Sequence, residues 1–449
     1  MTAEVITDAD RYPGLSSDGA RLLQFMREHP HAPIYRNQSG HRLNTEDVAY
    51  LRDFERSVLA AKIGWQPNTT PNWVAAFIDR CRATVPFYRQ YPTGPHLLEE
   101  LRTIDRGDLS HDIAAFYPDD LPLDRIINFR TSGTSGHPLL LASHPRVAGS
   151  YLAFHKRALQ RFGLSLKNGR GQMGVVLVGY QEKCFTYVSV TPTMDESGLA
   201  KLNLHPADWR DPADRAAYLD ALNPEVYTGD PLSFAELMKL PLKTRPRVMI
   251  STSMALSPGL QENLQHHFQC PVLDLYSMNE AGPIAVADPA VGGHVLLQPD
   301  LYVEILDPQG QRVAPGERGE VTLTGGFNFC LPLLRYRTGD YASLNFIHDE
   351  PVLVGLEGRP PIRFQAHSGE WKNNIEVTHA LRPFSLVQFV LHQRVDRSFS
   401  FRCVSGAAEL SAIRAALAAL FGSSAVIALE AIDAFEGKVI QYTSDLPQV

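Results

Sequence analysis

Two carboxylates and two cations stand in short, turn-rich contexts along this chain. Glu280 lies in LDLYSMNEAG and Asp340 in PLLRYRTGDYASL; Arg359 follows in EGRPP and Lys438 in FEGKVIQY. Well before them, INFRTSGTSGHPLLL packs Thr131, Ser132, Gly133, Thr134, Ser135 and Gly136 into one run. Backbone N–H groups and hydroxyls in such a run can cradle phosphate oxygens, and its glycines let the chain approach a bulky anion. The run lacks the Lys-Ser/Thr ending of a Walker loop, so a cation for the phosphates has to come from elsewhere. A carboxylate just after a strand can hold Mg2+ on a nucleotide. One in a tight Thr-Gly-Asp turn can accept from both ribose hydroxyls. Taken singly, each feature has a plain structural counterpart: a surface turn, a solvated glutamate, an aspartate satisfying its own turn, or a surface cation.

These residues need elements to position them, and the pattern supplies candidates. INFR is a short strand leading into the Ser/Thr/Gly run, and SYLAFHKRALQRFG reads as a helix ending at Gly163. MGVVLVGY, EVYTGD, PRVMIST and PVLDLYS read as strands, with helix-like PLSFAELMKL and SPGLQENLQHHFQ between them. In the second helix Ser257 is the expected N-cap and Pro258 the first helical residue. Strands alternating with helices predict a parallel α/β sheet, whose ligands gather beyond the carboxyl ends of the strands. That edge would carry the 131–136 run, Ser251 to Ser253, and Tyr276 to Glu280. Residues 291–357 read as an antiparallel β unit with turns at Asp-Pro-Gln-Gly and Pro-Gly-Glu-Arg-Gly. The Pro pair at 360–361 marks a linker, followed by a compact α+β segment ending in the helix AELSAIRAALAALFG and the strand AVIALEAI. Near the start, TEDVAYLRDFERSVLAA and NWVAAFIDRCRATV have helical spacing, with Thr45 as a candidate N-cap of the first.

Bulk composition narrows the class. A chain of 449 residues with 44% hydrophobic content can bury a large core and make two or three domains. The net charge of −7 gives no pull toward nucleic acid or anionic membranes, so neither is expected as a partner. The opening MTAEVITDADRYPG lacks the n- and h-regions of a signal peptide. Cys81, Cys184, Cys270, Cys330 and Cys403 are never closely spaced, which argues against disulfides and metal clusters and for a reduced, cytoplasmic compartment.

The ordered set of motifs resembles the adenylate-forming superfamily of acyl-CoA synthetases, adenylation domains and luciferases, from Ala76 to Gln441. The set runs Ser/Thr/Gly loop, aromatic-x-x-x-Glu, Gly-Glu-x-Gly-Glu, Tyr-Arg-Thr-Gly-Asp, Gly-Arg and Gly-Lys. TSGTSGHP without a following lysine, together with PFYRQY and RGDLSHDIAAFYPDD, is most similar to the phenylacetate–CoA ligase-like branch. The resemblance implies a large N-terminal domain, 1–357, with parallel α/β sheets plus a β unit; residues 1–70, which precede the matched stretch, read from their own pattern as a helical, loop-rich extension of it. It implies a small mobile α+β domain, 358–449. It implies ATP, Mg2+ and coenzyme A as cofactors or co-substrates and leaves room for a homodimer. Residue by residue, Thr131 to Gly136 would hold the β- and γ-phosphates, with Thr252, Ser253 and Ser277 in the nucleotide site. Tyr276 would stack on adenine, and Asn279 would touch the α-phosphate. Glu280 would bind Mg2+, Asp340 the ribose hydroxyls, and Arg359 the ribose or phosphate. Lys438 would bridge the α-phosphate and the attacking carboxylate. Tyr180, Phe185 and Tyr187 would shape an aromatic acid pocket, with Thr228 to Asp230 nearby.

Some positions depart from that pattern. Pro361 stands where the family carries its hinge acid, TSMALS replaces the adenine segment, and FQAHSGEWKNN barely follows the stretch framing the pantetheine tunnel. Adenylation is therefore better supported than transfer to coenzyme A. Three readings stay open: a ligase of an aromatic acid and coenzyme A; an adenylating enzyme with another acceptor, such as an amine, a carrier protein or nitrite activated for diazotisation; and a nucleotide-binding homologue without catalysis.

Overall fold

The computed structural model describes residues 6–66, 69–91, 97–130, 139–181, 184–358, 362–381, 383–405, 410–433, 435 and 440–447. Thr131 to Gly136, Arg359 and Lys438 lie outside the described residues, as does Pro361. Helices α1 to α11 span Asp8–Arg11, Ser17–Glu28, Thr45–Ala60, Trp73–Thr84, Arg106–His111, Pro145–Arg161, Asp214–Leu222, Pro231–Met238, Pro258–Phe268, Asn374–Leu381 and Leu410–Phe421.

Two strands, β1 (Ile127–Arg130) and β2 (Leu140–Ser143), pair antiparallel as a separate hairpin. Next come β3 (Met173–Gly179), β4 (Tyr187–Thr191), β5 (Ser197–Asn203), β6 (Val226–Gly229), β7 (Val248–Ser251) and β8 (Val272–Met278). They are followed by β9 (Gly282–Asp288), β10 (Gly293–Leu296), β11 (Leu301–Leu306), β12 (Arg318–Gly325), β13 (Leu333–Ile347) and β14 (Glu350–Gly358). Together β3 to β14 form one sheet of 12 strands in the order β11-β12-β13-β14-β10-β9-β8-β7-β6-β3-β5-β4. From β5 through β3, β6 and β7 to β8 the pairing is parallel; beyond β8 it is antiparallel throughout, and β4 is an antiparallel edge. The expected parallel sheet and antiparallel unit are thus halves of a single sheet that change over at β8.

The parallel half is buried on both faces, as its nearly continuous apolar runs require. Alternate residues serve alternate cores. Tyr227, Met249 and Val272 join Leu219, Phe234, Leu260 and Phe268 on one side, while Val226, Val248, Ile250 and Leu273 join Phe154 and Leu159 of α6 on the other. A third core fills the antiparallel half and takes in Trp65, Tyr88, Ala281, Ile284 and Tyr336.

The structure corrects several expectations. The Ser/Thr/Gly run joins two strands of a hairpin, not a sheet strand to a helix. The chain makes β2 first, and α6 starts at Pro145, five residues before the expected Ser150, with the His144 side chain accepting from Arg146 N as its cap. α3 is capped by Asn44, not Thr45: its side chain accepts from Asp47 N, and Asp47 returns the bond. The N-terminal helices pack on the body of the molecule: Leu22, Leu23 and Met26 of α2 and Val58 of α3 lie inside the two sheet cores.

Beyond β14 the chain builds a unit with its own core of Phe364, Phe389, Phe399, Phe401, Ile413, Leu417 and Phe421. It contains a hairpin of β15 (Arg363–Gln365) and β16 (Trp371–Asn373). A sheet of β17 (Leu386–Gln393), β18 (Phe399–Ser405), β19 (Ile427–Ala431) and β20 (Tyr442–Ser444) runs in the order β19-β18-β17-β20.

Candidate active site

β8 delivers Tyr276 and Ser277 near its carboxyl end, and the turn into β9 presents an exposed Asn279 and then Glu280, only 5% exposed. β13 carries Tyr336 and Asp340. Three strands separate β8 from β13 in hydrogen-bond order, yet their side chains meet. The contact is reciprocal. The Tyr276 hydroxyl donates to Asp340 Oδ2 at 2.7 Å, and the Tyr336 hydroxyl donates to Glu280 Oε1 at 3.4 Å. Burial, and then the neighbouring carboxylate, pushes both phenols well above their ordinary range, so each stays a proton donor.

Asp340 sits in a turn built by its neighbours. Gly339 has φ +78, a conformation that only glycine adopts cheaply. Asp340 N donates to Thr338 Oγ1 at 3.0 Å, and Thr338 donates on to Val321 O at 2.8 Å. Glu320 grips the same turn through both oxygens, accepting from Gly339 N at 2.9 Å and Arg337 Nε at 2.6 Å. The Gly-Glu-x-Gly-Glu motif on β12 therefore acts as a brace for the Thr-Gly-Asp turn.

Glu280 has a second partner that the sequence did not disclose. Arg106 Nη1 lies 3.1 Å from Glu280 Oε1. Arg106 opens α5, which the Asp105–Asp108 capping box fixes, and the preceding segment bridges to β13 through Ile104 N to Arg335 O and Arg337 N to Ile104 O. No single-chain signal pairs residues that far apart. Tyr151 of α6 also feels this carboxylate; burial first and Glu280 second push its phenol up to about 12.

With both contacts on Oε1, Glu280 Oε2 has no hydrogen-bond partner among the described residues. One carboxylate oxygen is the usual protein share of a Mg2+ whose other ligands are phosphates and water. Among the described residues no group of three His, Cys, Asp or Glu side chains could cage a metal alone. The donor set therefore fits an ion that arrives with a nucleotide.

Other expected residues fall at differing distances from this centre. Thr252 and Ser253 follow β7 at the same edge; Thr252 N donates to Gly229 O at 2.9 Å, and Ser253 holds φ +72, uncommon for a residue with a side chain. Asp230 is engaged as the N-cap of α8, accepting from Ser233 N at 2.8 Å. Tyr180 follows β3 and tilts against His205. Phe185 and Tyr187 contact each other, but Tyr187 belongs to β4, five strands from β8, or roughly 24 Å at the usual strand spacing. Between them Thr186 N donates to Asn37 Oδ1 at 3.0 Å in the N-terminal segment, and Phe185 is 52% exposed. Among the described residues, neither Phe185 nor Tyr187 makes a hydrogen bond or ring contact with Tyr276, Glu280, Tyr336 or Asp340. No described helix is long and apolar enough to cross a membrane.

Comparison with known proteins gives a family match and a set of shared folds. Residues 192–329, which include β8 and Glu280, match the model of the AMP-binding enzyme family. No curated protein matches the sequence. Among solved structures, 2-hydroxyisobutyryl-CoA ligase in its post-adenylation state, in complex with R3-HIB-AMP, superposes with a TM-score of 0.61 at 18% identity, over 86% of this chain and 93% of that one. The same ligase in an open conformation with 2-HIB-AMP and CoA gives 0.54 at 19% identity, over 85% and 95%. Its thioesterification state gives 0.51 at 20% identity, over 86% and 93%. At these identities the likeness is one of fold.

Proposed function

We propose that the chain is a member of the adenylate-forming superfamily and works as an ATP- and Mg2+-dependent, AMP-forming ligase of a carboxylic acid and coenzyme A, on the match of residues 192–329 to the AMP-binding enzyme family and the shared fold. The observation that carries the reading is the reciprocal Tyr276–Asp340 and Tyr336–Glu280 pairing at the carboxyl end of β8, where an α/β sheet collects its ligand. In this reading Asp340 accepts the ribose hydroxyls, Tyr276 faces adenine, and Thr252, Ser253 and Ser277 line the nucleotide. Asn279 reaches the α-phosphate, and Thr131 to Gly136 hold the outer phosphates. Glu280 is the residue that would hold Mg2+, which when bound neutralises phosphate charge. Arg359 and Lys438 supply the remaining cations. The acid's carboxylate oxygen attacks the α-phosphorus and pyrophosphate leaves. The thiolate of coenzyme A then attacks the acyl carbon and AMP leaves. Positioned cations and N–H donors suit a step that sets one anion against another.

An aromatic acid is the proposed substrate class, on the motif likeness to the phenylacetate–CoA ligase-like branch. The test is pyrophosphate release against aryl acids, alkyl and hydroxy acids and nitrite, each with and without coenzyme A or an amine. We expect release with an aryl acid and acyl-CoA formation when coenzyme A is added. Release that coenzyme A never accelerates would remove the second half-reaction. Release with nitrite and an arylamine alone would replace the acid. ATP binding with no AMP formed over the whole panel would leave a binding protein.

A further inference from the structure

Tyr276 does more in this geometry than offer a ring. We propose that Tyr276 is the positioning residue of Asp340: its hydroxyl fixes the carboxylate rotamer that the ribose diol meets, so that it contributes to nucleotide recognition through the sugar as well as the base. The inference rests on the nucleotide-binding reading above.

The argument starts from the donor and acceptor inventory. An ionised carboxylate has about four lone-pair sites and no proton of its own. A ribose diol presents two donors, so Asp340 can take both and still accept a third bond. The Tyr276 hydroxyl occupies one site on Oδ2 at 2.7 Å, a short, charge-assisted distance. The phenol's proton is secure, because burial and the adjacent Asp340 both hold its ionisation well above the ordinary range.

The main chain around Asp340 is already rigid. Gly339 N is tied to Glu320, and Asp340 N to Thr338. Those bonds fix where the residue sits but not the rotation of its side chain. The Tyr276 hydroxyl, from a strand separated from β13 by three others in the sheet, is a bond to that side chain from outside the turn. It also ties the surface facing the base to the group facing the sugar, so a nucleotide meets both at a fixed separation. Arrangements fixed before binding raise affinity by reducing what must be ordered on binding.

Tyr276→Phe keeps the ring and removes only the hydroxyl. Equilibrium binding and pyrophosphate exchange would be measured with ATP and with 2′,3′-dideoxy-ATP, for the wild type, Tyr276→Phe, Asp340→Asn and the double variant. Tyr276→Phe is expected to weaken ATP about tenfold and dideoxy-ATP about twofold or less, the tenfold step being that of a hydrogen bond to a charged group. The double variant should bind ATP no worse than Asp340→Asn alone, since the two act through one contact. Equal losses for both nucleotides, additive losses in the double variant, or ATP affinity like the wild type would each overturn the proposal. A wild type that binds no ATP would instead sink the functional reading, so the two failures are distinguishable.

Discussion

At the residue scale the centre is a buried carboxylate, Glu280, and a half-buried one, Asp340, each held by a tyrosine, and Glu280 also by an arginine. Glu280 is buried and its guanidinium partner is about one-third exposed. Breaking a fully buried ion pair by removing one partner costs about 3–5 kcal/mol, because the other charge is stranded. With Arg106 partly solvated, Arg106→Ala is expected to cost roughly 2 kcal/mol, on that scale discounted for exposure. Arg106→Ala with Glu280→Gln should recover most of the loss, because no charge then remains unpaired. Urea unfolding of the wild type and the three variants decides it: if the double variant is as unstable as the sum of the singles, the 3.1 Å pair is not energetically coupled. Glu280 and Asp340 stand out in the sequence because each sits inside a short motif, Glu280 just after β8 and Asp340 in a Thr-Gly-Asp run within β13. Arg106 does not, because its partner is 174 positions away and only the fold closes that gap. Glu320 was legible as part of a motif, but its task of gripping the Thr-Gly-Asp turn was not, since that depends on cross-strand register.

At the element scale, α3 and α6 are clamped across the large unit by Asp47, which has no exposed surface. Asp47 accepts from Arg146 Nε at 2.5 Å and from Arg125 Nη2 at 2.6 Å, while its Oδ2 also accepts from Asn44 N in the capping box. Burial works against the charge, but the Arg125 and Arg146 bonds outweigh it and bring the carboxyl down to about 2. A carboxyl depressed in the folded state contributes stability above its unfolded value, near 3.9, and that contribution is lost as pH falls toward 2. The loss should therefore begin below about pH 4 and amount to about 2 kcal/mol by pH 2. Asp47→Asn should remove a similar amount at neutral pH and flatten this part of the acid limb. A mutant whose stability tracks the wild type at every pH between 2 and 7 would show that the clamp carries no net energy. Most elements here were legible from periodicity, including the turn at Gly310 and the helix end at Gly422, where positive φ needs glycine. The hairpin β1–β2 was misread because Leu139 to Leu141 looks like the approach to a helix. The signal that would have placed α6 is Pro145 at its first position.

At the scale of the whole molecule, the small unit sits on the large one through a close approach at the start of α9. Ser257, the helix cap, also donates to Leu386 O at 2.9 Å, Asn263 Nδ2 donates to Ser385 Oγ at 2.5 Å, and Ser385 Oγ donates to Gly259 O at 3.0 Å. Val387 of β17 completes the seam by entering the core of the parallel half. A Cβ on Gly259 would stand 2.6 Å from both the carbonyl carbon and oxygen of Phe384. Neither is the end of a flexible side chain, so the seam has to open. Two effects then compete in Gly259→Ala: helix propensity favours alanine by up to about 1 kcal/mol, and the clash costs about 1–3 kcal/mol. The clash should win, giving a lower melting temperature and faster amide exchange at 384–387. The large-unit residues proposed to bind ATP, Tyr276 and Asp340, are untouched, so the affinity for ATP should hold. The small unit's seating on the large one should loosen, and pyrophosphate exchange should slow several-fold. Gly259→Ala that melts higher than the wild type with unchanged exchange at 384–387 would mean propensity governs and the seam is not tight. Slower turnover together with weaker ATP binding would instead mean that the seam shapes the nucleotide site itself.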